Sequence, residues 1–356
     1  MKLKKIAIAT LIVMGTTIAV GSATAQERIT INIGSSHPVT NIWTFAMKEM
    51  FQPEVDRILK EGGAKYEIRW REHYGGTLYK FTDTRVAVRD GIVDVGLVGT
   101  AWESSTMPLQ NVAVFAPFAT NNHEHLIEIF DKLNTTLPAL RDSWTAQNMV
   151  PLSSLITGTY DIYATFPVKD MASLKNKRIN APGTSANWLR GTGATPVDGA
   201  LTTFYTNIQT GVTDGALSFA SGIGPARVYE VAKYLTRVDI GAMYIGSVAV
   251  NKKVFDGLPK EVQDAMLKAG KATSVAHGKH VTKTSNAALE TMKAAGLQIS
   301  DLPQAEKIKW VNDLPNIVAP WLQGTGDAGK QVLKAYFDEL RARGVKPLRD
   351  WDLQNR

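Results

Sequence analysis

The chain of 356 residues is 44% apolar and 21% charged, with a formal net charge of +7 and no cysteine. These values exclude an intrinsically disordered protein, a disulfide-stabilised scaffold, a cysteine-ligated metal centre and a thiol nucleophile. At about 150 residues per domain, the length suffices for two domains with a hydrophobic core each.

The first 25 residues form a separate segment. Three lysines precede an apolar run over residues 6–20, and the small residues Ala23-Thr24-Ala25 follow. This order is typical of a secretory signal peptide that is cleaved after Ala25. A membrane anchor is the alternative, but the run is short and no basic stop signal follows it. Without the three lysines the formal charge falls from +7 to +4, and no basic cluster typical of nucleic-acid binding remains.

Strand and helix patterns alternate through the first half of the remaining chain. The alternation predicts parallel strands with helices on the sheet faces, which is an α/β fold. The predicted strands are 29–34, 65–71 and 93–98, and the predicted helices are 42–59, 78–90 and 121–144.

A second α/β lobe is predicted to begin near residue 158. Residues 150–165 form two strand-like runs that are broken at Gly158. Further strands are predicted at 178–181, 213–219, 234–239 and 244–251, and further helices from Thr184 and over 202–210, 305–323 and 327–343. The longest predicted helix runs from Pro259 to Ala295 and, at about 1.5 Å per residue, is long enough to span both lobes.

A Gly-x-x-Asp pattern follows a predicted helix in each half of the chain. The two copies are Gly91-Ile92-Val93-Asp94 and Gly211-Val212-Thr213-Asp214. Glycine ends a helix in the left-handed conformation, and the aspartate stands where the next strand begins. The repetition predicts that the two lobes have similar architectures.

The sequence contains no convincing catalytic or metal motif. Residues 324–330 match the first part of a phosphate-binding loop, but Gln331 stands where a magnesium-binding Ser or Thr is needed and a helix precedes the glycines. His123-His125 and His277-His280 are better explained as a helix cap and a helical pair than as metal ligands. No Gly-x-Ser-x-Gly elbow is present.

The stretch from Leu174 to Phe219 resembles the middle of the DctP-type extracytoplasmic solute-binding proteins of TRAP transporters. The family pattern is a strand ending in Arg-x-Pro, then Gly-Ala-x-Pro, then a helix ending in Gln-x-Gly-x-x-Asp-Gly. Gly193–Pro196 and Gln209–Gly215 match its last two parts. Other landmarks follow in the family's order, over Gly75–Leu78, Val88–Asp94 and Val250–Pro259, and cover nearly the whole mature chain.

The resemblance implies an α/β, two-lobed periplasmic-binding-protein-like fold, with hinge strands, a long lobe-spanning helix and a ligand cleft between the lobes. The expected N-terminal lobe comprises 26–157 plus 246–285, and the second lobe comprises 158–245 plus 286–315. The C-terminal helices over 316–356 are expected to pack on the lobes.

The resemblance also implies a function. A protein of this family captures a small organic solute in the periplasm and delivers it to the membrane subunits of a TRAP permease. We expect an organic acid or a related compound, no cofactor, no enzymatic activity, no nucleic-acid partner and no membrane insertion of the mature chain. The alternatives are an exported sensor that presents its ligand to a signalling receptor and a periplasmic enzyme on the same fold.

The chain departs from the family at the position that holds the ligand carboxylate. The family has an arginine two residues before the proline, where this chain has Asn180 before Pro182. Tyr160 occupies a second position that is basic in some members, and Ala216-Leu217-Ser218 replaces a polar Gln-Glu-Asn. Because a buried charged donor contributes strongly to carboxylate binding, we expect a less anionic or more apolar ligand than a C4-dicarboxylate.

The candidate ligand-binding residues follow from the predicted strand ends and the aromatic residues near them. Arg178, on the same strand face as Asn180, His37 and Arg237 are possible substitutes for the missing arginine. The full set is Ser36, His37, Trp43, Thr100, Trp102, Tyr160, Arg178, Asn180, Leu201, Ser218 and Phe219.

Overall fold

The computed structural model describes residues 26–355, so the predicted signal peptide and its cleavage site lie outside the described residues. The strands are β1 Glu27–Gly34, β2 Tyr66–His73, β3 Val95–Val98, β4 Met149–Ala164, β5 Arg178–Asn180, β6 Thr195–Val197, β7 Gly215–Phe219, β8 Tyr234–Arg237, β9 Ala242–Asn251 and β10 Gln298–Asp301.

Two mixed sheets share the long strand β4. The first sheet has the order β2-β1-β3-β9-β4, and the second has β6-β5-β7-β4-β8-β10. The N-terminal part of β4 pairs with β9 up to Thr159, and its last five residues pair with β7. Strand β4 therefore crosses from one lobe to the other, which confirms the two-lobed α/β fold with a hinge strand.

The helices cover the faces of both sheets. They are α1 Ile42–Phe45, α2 Gln52–Glu61, α3 Thr84–Arg89, α4 Val112–Phe115, α5 His123–Thr136, α6 Pro138–Thr145, α7 Leu201–Gln209, α8 Ala220–Ile223, α9 Lys252–Gly257, α10 Lys260–Ala294, α11 Gln304–Asp313 and α12 Val318–Ala342. Helix α10 contacts β4, α2 and α5 of the first lobe and α8 of the second, which confirms the lobe-spanning helix. No helix within residues 26–355 combines the length and the apolar character needed to cross a bilayer.

The repeated Gly-x-x-Asp pattern has the same role in both lobes. Gly91 and Gly211 have positive φ angles of 75° and 71°. The Asp94 carboxylate accepts a hydrogen bond from the Asn32 amide of β1 at 2.7 Å, and Asp214 accepts one from the Arg178 amide of β5 at 2.8 Å. Each aspartate thus fixes the neighbouring parallel strand, and this shared arrangement agrees with the predicted similarity of the two lobes.

Three predicted helices are interrupted where a proline removes a backbone donor. The helix predicted over 42–59 contains a π-helical turn, Ala46–Phe51, immediately before Pro53 in α2. The helix predicted over 121–144 divides into α5 and α6 at Pro138. The helix predicted over 305–323 ends at Asp313, before Pro315, and α12 then continues to Ala342 with a kink at Gly326.

Smaller differences concern short segments. The helix predicted over 78–90 is limited to α3 and a preceding 3₁₀ turn, and the helix predicted from Thr184 is a 3₁₀ segment, Gly183–Leu189. The two runs predicted on either side of Gly158 form one strand with irregular pairing. Strands β6 and β10 have three and four residues, too few for a hydrophobic period to identify them.

The C-terminal part of the chain packs mainly on the first lobe. Helix α12 contacts α4, α5 and α6, and its Trp321 and Tyr336 rings pack against Phe115 and Phe130. The glycine-rich segment 324–330 lies within α12. It is a kinked helix and does not form a phosphate-binding loop.

Candidate ligand-binding site

A cavity of about 420 Å³ lies between the two lobes. Both lobes contribute to its wall, through the segment after β1, the segment after β3, the last part of β4, the start of α7 and the end of β7. Eight of the candidate residues line it: Ser36, His37, Trp43, Trp102, Tyr160, Leu201, Ser218 and Phe219.

Hydrogen bonds fix the loop that carries Ser36 and His37. The buried Ser35 hydroxyl accepts hydrogen bonds from the His37 amide at 3.2 Å and from the Thr44 hydroxyl at 2.9 Å. The amides of Gly75 and Gly76 donate to the carbonyl oxygens of His37 and Ser35. Both glycines have φ near 75°, a conformation that favours glycine, so this family-like Gly-Gly pair positions one wall of the cavity.

Four aromatic rings stand in the wall contributed by the first lobe. Trp43 Nε1 donates to the Ile156 carbonyl of β4 at 2.9 Å and anchors its ring to the hinge strand. The His37 ring meets Trp43 and Phe81 edge to face, with centroids 5.3 and 4.8 Å apart. Trp102 meets Phe81 at 4.6 Å and Trp43 at 6.2 Å. The four rings form a continuous aromatic cluster.

The second lobe contributes Tyr160, Ser218 and Phe219, which lie on the neighbouring strands β4 and β7. Tyr160 pairs with Phe219 in the sheet, and its ring packs edge to face on Trp188 at 5.2 Å. The Tyr160 hydroxyl has no hydrogen-bond partner among residues 26–355. Burial raises the pKa of Tyr160 above its usual range, so the hydroxyl stays protonated and can donate to a solute.

Thr100, Asn180 and Arg178 lie outside the cavity wall. Thr100 is buried against the Ile245 carbonyl, and Arg178 is half-exposed beside Asp214. Arg237, the other proposed substitute, pairs with Asp301 at the surface.

The Asn180 side chain is fully engaged within the second lobe. It donates to the Thr213 hydroxyl at 2.6 Å and to the Gly215 carbonyl at 3.1 Å, and it accepts from Asn207 of α7 at 2.9 Å. These bonds attach α7 to the sheet, and the first residues of α7 line the cavity. Asn180 therefore positions a wall of the cavity and leaves no free group for a solute.

Sequence reasoning missed several residues of the wall. Tyr205 follows Leu201 by one turn of α7, so helical periodicity provided a signal for it. Thr202 and Phe204 lie in the same helix. The remaining wall residues had no recognisable signal because they stand in turns or in helices of three or four residues, among them Thr40, Asn41, Phe81, Pro182, Ser221 and Pro225.

The residues that line the cavity do not form a Ser-His-carboxylate triad. The Ser36 hydroxyl lies 3.3 Å from His37 Nδ1, but no carboxylate among the wall residues orients the imidazole. Within residues 26–355 no three side chains of His, Cys, Asp or Glu come together as metal ligands. His123 instead lies 2.9 Å from the Thr282 hydroxyl, and His277 contacts the backbone of Ile156.

Comparison with known sequences identifies a family. Residues 34–323 match the sequence profile of DctP, described as bacterial extracellular solute-binding protein, family 7. The ectoine-binding periplasmic protein TeaA of Halomonas elongata is 22% identical over 274 residues, which are 75% of this chain and 79% of TeaA. The C4-dicarboxylate-binding protein DctP of Rhodobacter capsulatus is 36% identical over 122 residues, about a third of either protein.

Solved structures share the fold. DctP7 of Bordetella pertussis, an extracytoplasmic solute receptor that binds pyroglutamic acid, superposes with a TM-score of 0.75 at 22% identity over 86% of this chain and 99% of its own. A TRAP periplasmic solute-binding protein of Sulfitobacter sp. NAS-14.1 with bound β-D-galacturonate gives 0.73 at 20% identity, over 87% of this chain and all of its own.

Proposed function

The chain belongs to bacterial extracellular solute-binding protein family 7, the DctP family, and on that premise we propose that its inter-lobe cavity captures one small organic solute for a TRAP permease. The observation that carries the proposal is the cavity itself, because its wall is made from both lobes. Three of the relatives named above bind compact ring compounds, pyroglutamate, galacturonate and ectoine, and a fourth binds C4-dicarboxylates. A cavity of about 420 Å³ suits small organic solutes of this size class.

Capture works through the hinge. A solute that contacts both walls stabilises the closed arrangement more than the open one, and this difference in affinity shifts the hinge equilibrium. The lobes already meet beside the cavity, where the Thr184 hydroxyl donates to the Ala101 carbonyl at 3.4 Å. The membrane subunits of the permease recognise the closed, loaded protein. The solute is released unchanged, so the protein is a receptor and not an enzyme.

The relatives that carry the word periplasmic in their names support a periplasmic location for this chain. Residues 1–25 are its signal peptide, and cleavage after Ala25 leaves a mature chain that begins at Gln26. For the lobes we propose the boundaries expected from the sequence, 26–157 plus 246–285 and 158–245 plus 286–315, which divide the hinge strand near residue 158. Intact-mass measurement of protein exported to the periplasm checks the cleavage site.

Solute capture is tested with the wild-type protein. Small molecules released by denaturing the purified protein are identified by mass spectrometry, and each is added back in a thermal-shift and small-angle scattering experiment. We expect at least one compound to raise the melting temperature and to decrease the radius of gyration. Failure to release any compound, together with no response to a broad panel of solutes, contradicts solute capture. Formation of a product from a bound solute contradicts the receptor role.

The contact of Tyr160 with the solute is tested by Tyr160→Phe. This change keeps the ring that packs on Trp188 and removes only the free hydroxyl. We expect affinity for the solute to fall by about three- to tenfold, with the melting temperature of the unliganded protein unchanged. Tyr163→Phe is the matched control, because its buried hydroxyl also lacks a partner but lies outside the cavity. Equal loss of affinity in both variants contradicts the contact.

A further inference from the structure

The wall of the inter-lobe cavity carries no formal charge at neutral pH. No Asp, Glu, Lys or Arg is among the residues that line it. The arginine candidates outside the wall are paired, Arg178 with Asp214 and Arg237 with Asp301. A solute inside the cavity therefore meets no fixed cation that balances a carboxylate.

His37 does not supply that cation. Burial lowers the pKa of His37 to about 4, so the imidazole is neutral at the pH of the periplasm. Its surroundings agree, because the ring lies between Trp43 and Phe81 and its Nδ1 atom faces the Ser36 hydroxyl. No Asp or Glu is among the residues that line the cavity beside the ring, so none favours its protonated form.

Both lobes contribute aromatic rings and uncharged polar groups to the wall. The first lobe presents the aromatic cluster of His37, Trp43, Phe81 and Trp102, and beside it the polar residues Ser36, Thr40 and Asn41. The second lobe presents the rings of Tyr160, Tyr205 and Phe219 and the hydroxyl-bearing residues Thr202 and Ser218. Aromatic faces pack against flat rings and against cations, while free hydroxyls need a hydrogen-bonding partner. The matching solute has a ring body and an uncharged or charge-balanced polar edge.

We propose that the solute of this receptor carries no net negative charge, and that it is a neutral or zwitterionic ring compound that packs against the aromatic side chains of the wall. The inference rests on the proposed function, since it assigns a substrate class to the same cavity. It separates this chain from the relatives named with an anionic ligand, a C4-dicarboxylate, pyroglutamate or galacturonate.

The charge of the solute is tested with pairs of compounds that differ only in charge. Each pair consists of a ring carboxylate and its primary amide: pyroglutamate and pyroglutamamide, benzoate and benzamide, indole-3-acetate and indole-3-acetamide. Zwitterionic ectoine and the compound released by denaturation complete the set. Affinities are measured by calorimetry at pH 7. We expect every compound that binds to be neutral or zwitterionic, and each amide to bind at least about tenfold more tightly than its acid.

A charge introduced into the wall provides the reciprocal test. Leu201 is half-buried at the first position of α7 and lines the cavity. Leu201→Lys places an ammonium group there, and Leu201→Met is the control of similar length without charge. We expect the lysine variant to bind the acids more tightly relative to their amides, and the methionine variant to keep the wild-type order within each pair.

The outcomes separate the inference from the proposed function. Tighter binding of an acid than of its amide to the wild-type protein, or release of a net anion on denaturation, overturns the inference and leaves solute capture intact. If the ratio of the affinities for acid and amide is the same in Leu201→Lys as in wild type, the inference is also contradicted. Absence of binding by every compound, with no released molecule, overturns both.

Discussion

At the residue scale, Asp131 links the hinge strand to the lobe-spanning helix. Its carboxylate accepts hydrogen bonds from the Ser154 amide of β4 at 3.2 Å and from the Ser274 hydroxyl of α10 at 2.9 Å. Burial nevertheless raises the pKa of Asp131 to about 6, from an ordinary value of 3.8. The two bonds only partly offset the cost of removing the charge from water.

Asp131→Asn changes the pH dependence of folding. Between pH 3.8 and about 6 the folded protein retains the Asp131 proton and the unfolded chain releases it, so stability from this group is present at low pH and is lost as pH rises. The asparagine variant lacks this pH-dependent loss. Its unfolding free energy, relative to that of wild type, is therefore expected to increase by up to about 3 kcal/mol between pH 4 and pH 7.5. Urea unfolding at several pH values measures the difference.

Ser274→Ala is the companion variant. It removes a donor that lowers the pKa of Asp131, so we expect its pH-dependent loss of stability to extend to higher pH than in wild type. If the unfolding free energies of wild type and Asp131→Asn change in parallel with pH across this range, the raised pKa of Asp131 is contradicted.

At the element scale, the approach of α10 to β4 depends on one glycine. A Cβ atom on Gly270 would overlap the carbonyl oxygen of Leu152, which belongs to the backbone of β4. Glycine within a helix lowers its stability by about 1 kcal/mol relative to alanine. At this position the close packing of α10 on β4 offsets that cost. The hinge strand and the helix that spans the lobes therefore meet backbone to backbone.

Gly270→Ala tests this contact. Although alanine is the better helix former, we expect the variant to lose about 2–4 kcal/mol of unfolding free energy because strand or helix must move. Gly324→Ala in α12 is the matched control, since a Cβ atom there meets nothing within 4 Å and we expect a gain of about 0.5–1 kcal/mol. Chemical denaturation measures both. A neutral or stabilising effect of Gly270→Ala contradicts the close approach.

At the scale of the whole molecule, the C-terminal segment connects distant parts of the chain. Trp351 is fully buried, and its Nε1 atom donates to the Pro117 carbonyl at 3.0 Å. The amide of the neighbouring Phe118 donates to the carbonyl oxygen of Ile240, just before β9, and its carbonyl oxygen accepts from the amide of Leu348. Arg349 stacks on the Trp351 ring at 3.8 Å and donates to the carbonyl oxygens of Val311 and Leu314. The C-terminal segment thus stabilises the loop at Pro117 and Phe118, which lies beside the start of β9.

Trp351→Ala removes this anchor. We expect a loss of about 3–5 kcal/mol of unfolding free energy, because a large buried side chain leaves a cavity. Leu353→Ala is the control, since that side chain is 43% exposed and we expect a change below about 0.5 kcal/mol. Equal melting temperatures of the two variants contradict an anchoring role for Trp351.

The sequence by itself determined the α/β class, the two lobes, the long helix and the family. These features depend on hydrophobic periods, helix-ending glycines and the order of motifs, which are local in the chain. The repeated Gly-x-x-Asp pattern is an example. Its aspartate accepts a hydrogen bond from an amide of the adjacent parallel strand, and a βαβ unit always places those two strands side by side. Prolines set the helix boundaries that periodicity alone missed.

Only the tertiary structure decided which side chains form the wall of the cavity. The family resemblance predicts a ligand contact at Asn180, yet Thr213 and Asn207 satisfy its side chain from 33 and 27 residues away. Arg178 lies on the same strand but pairs with Asp214, 36 residues away. The direction of a polar side chain depends on such distant partners, since a buried donor or acceptor turns to the group that satisfies it. The absence of charge from the cavity wall is therefore a property of the folded chain, because it arises only when those partners are in place.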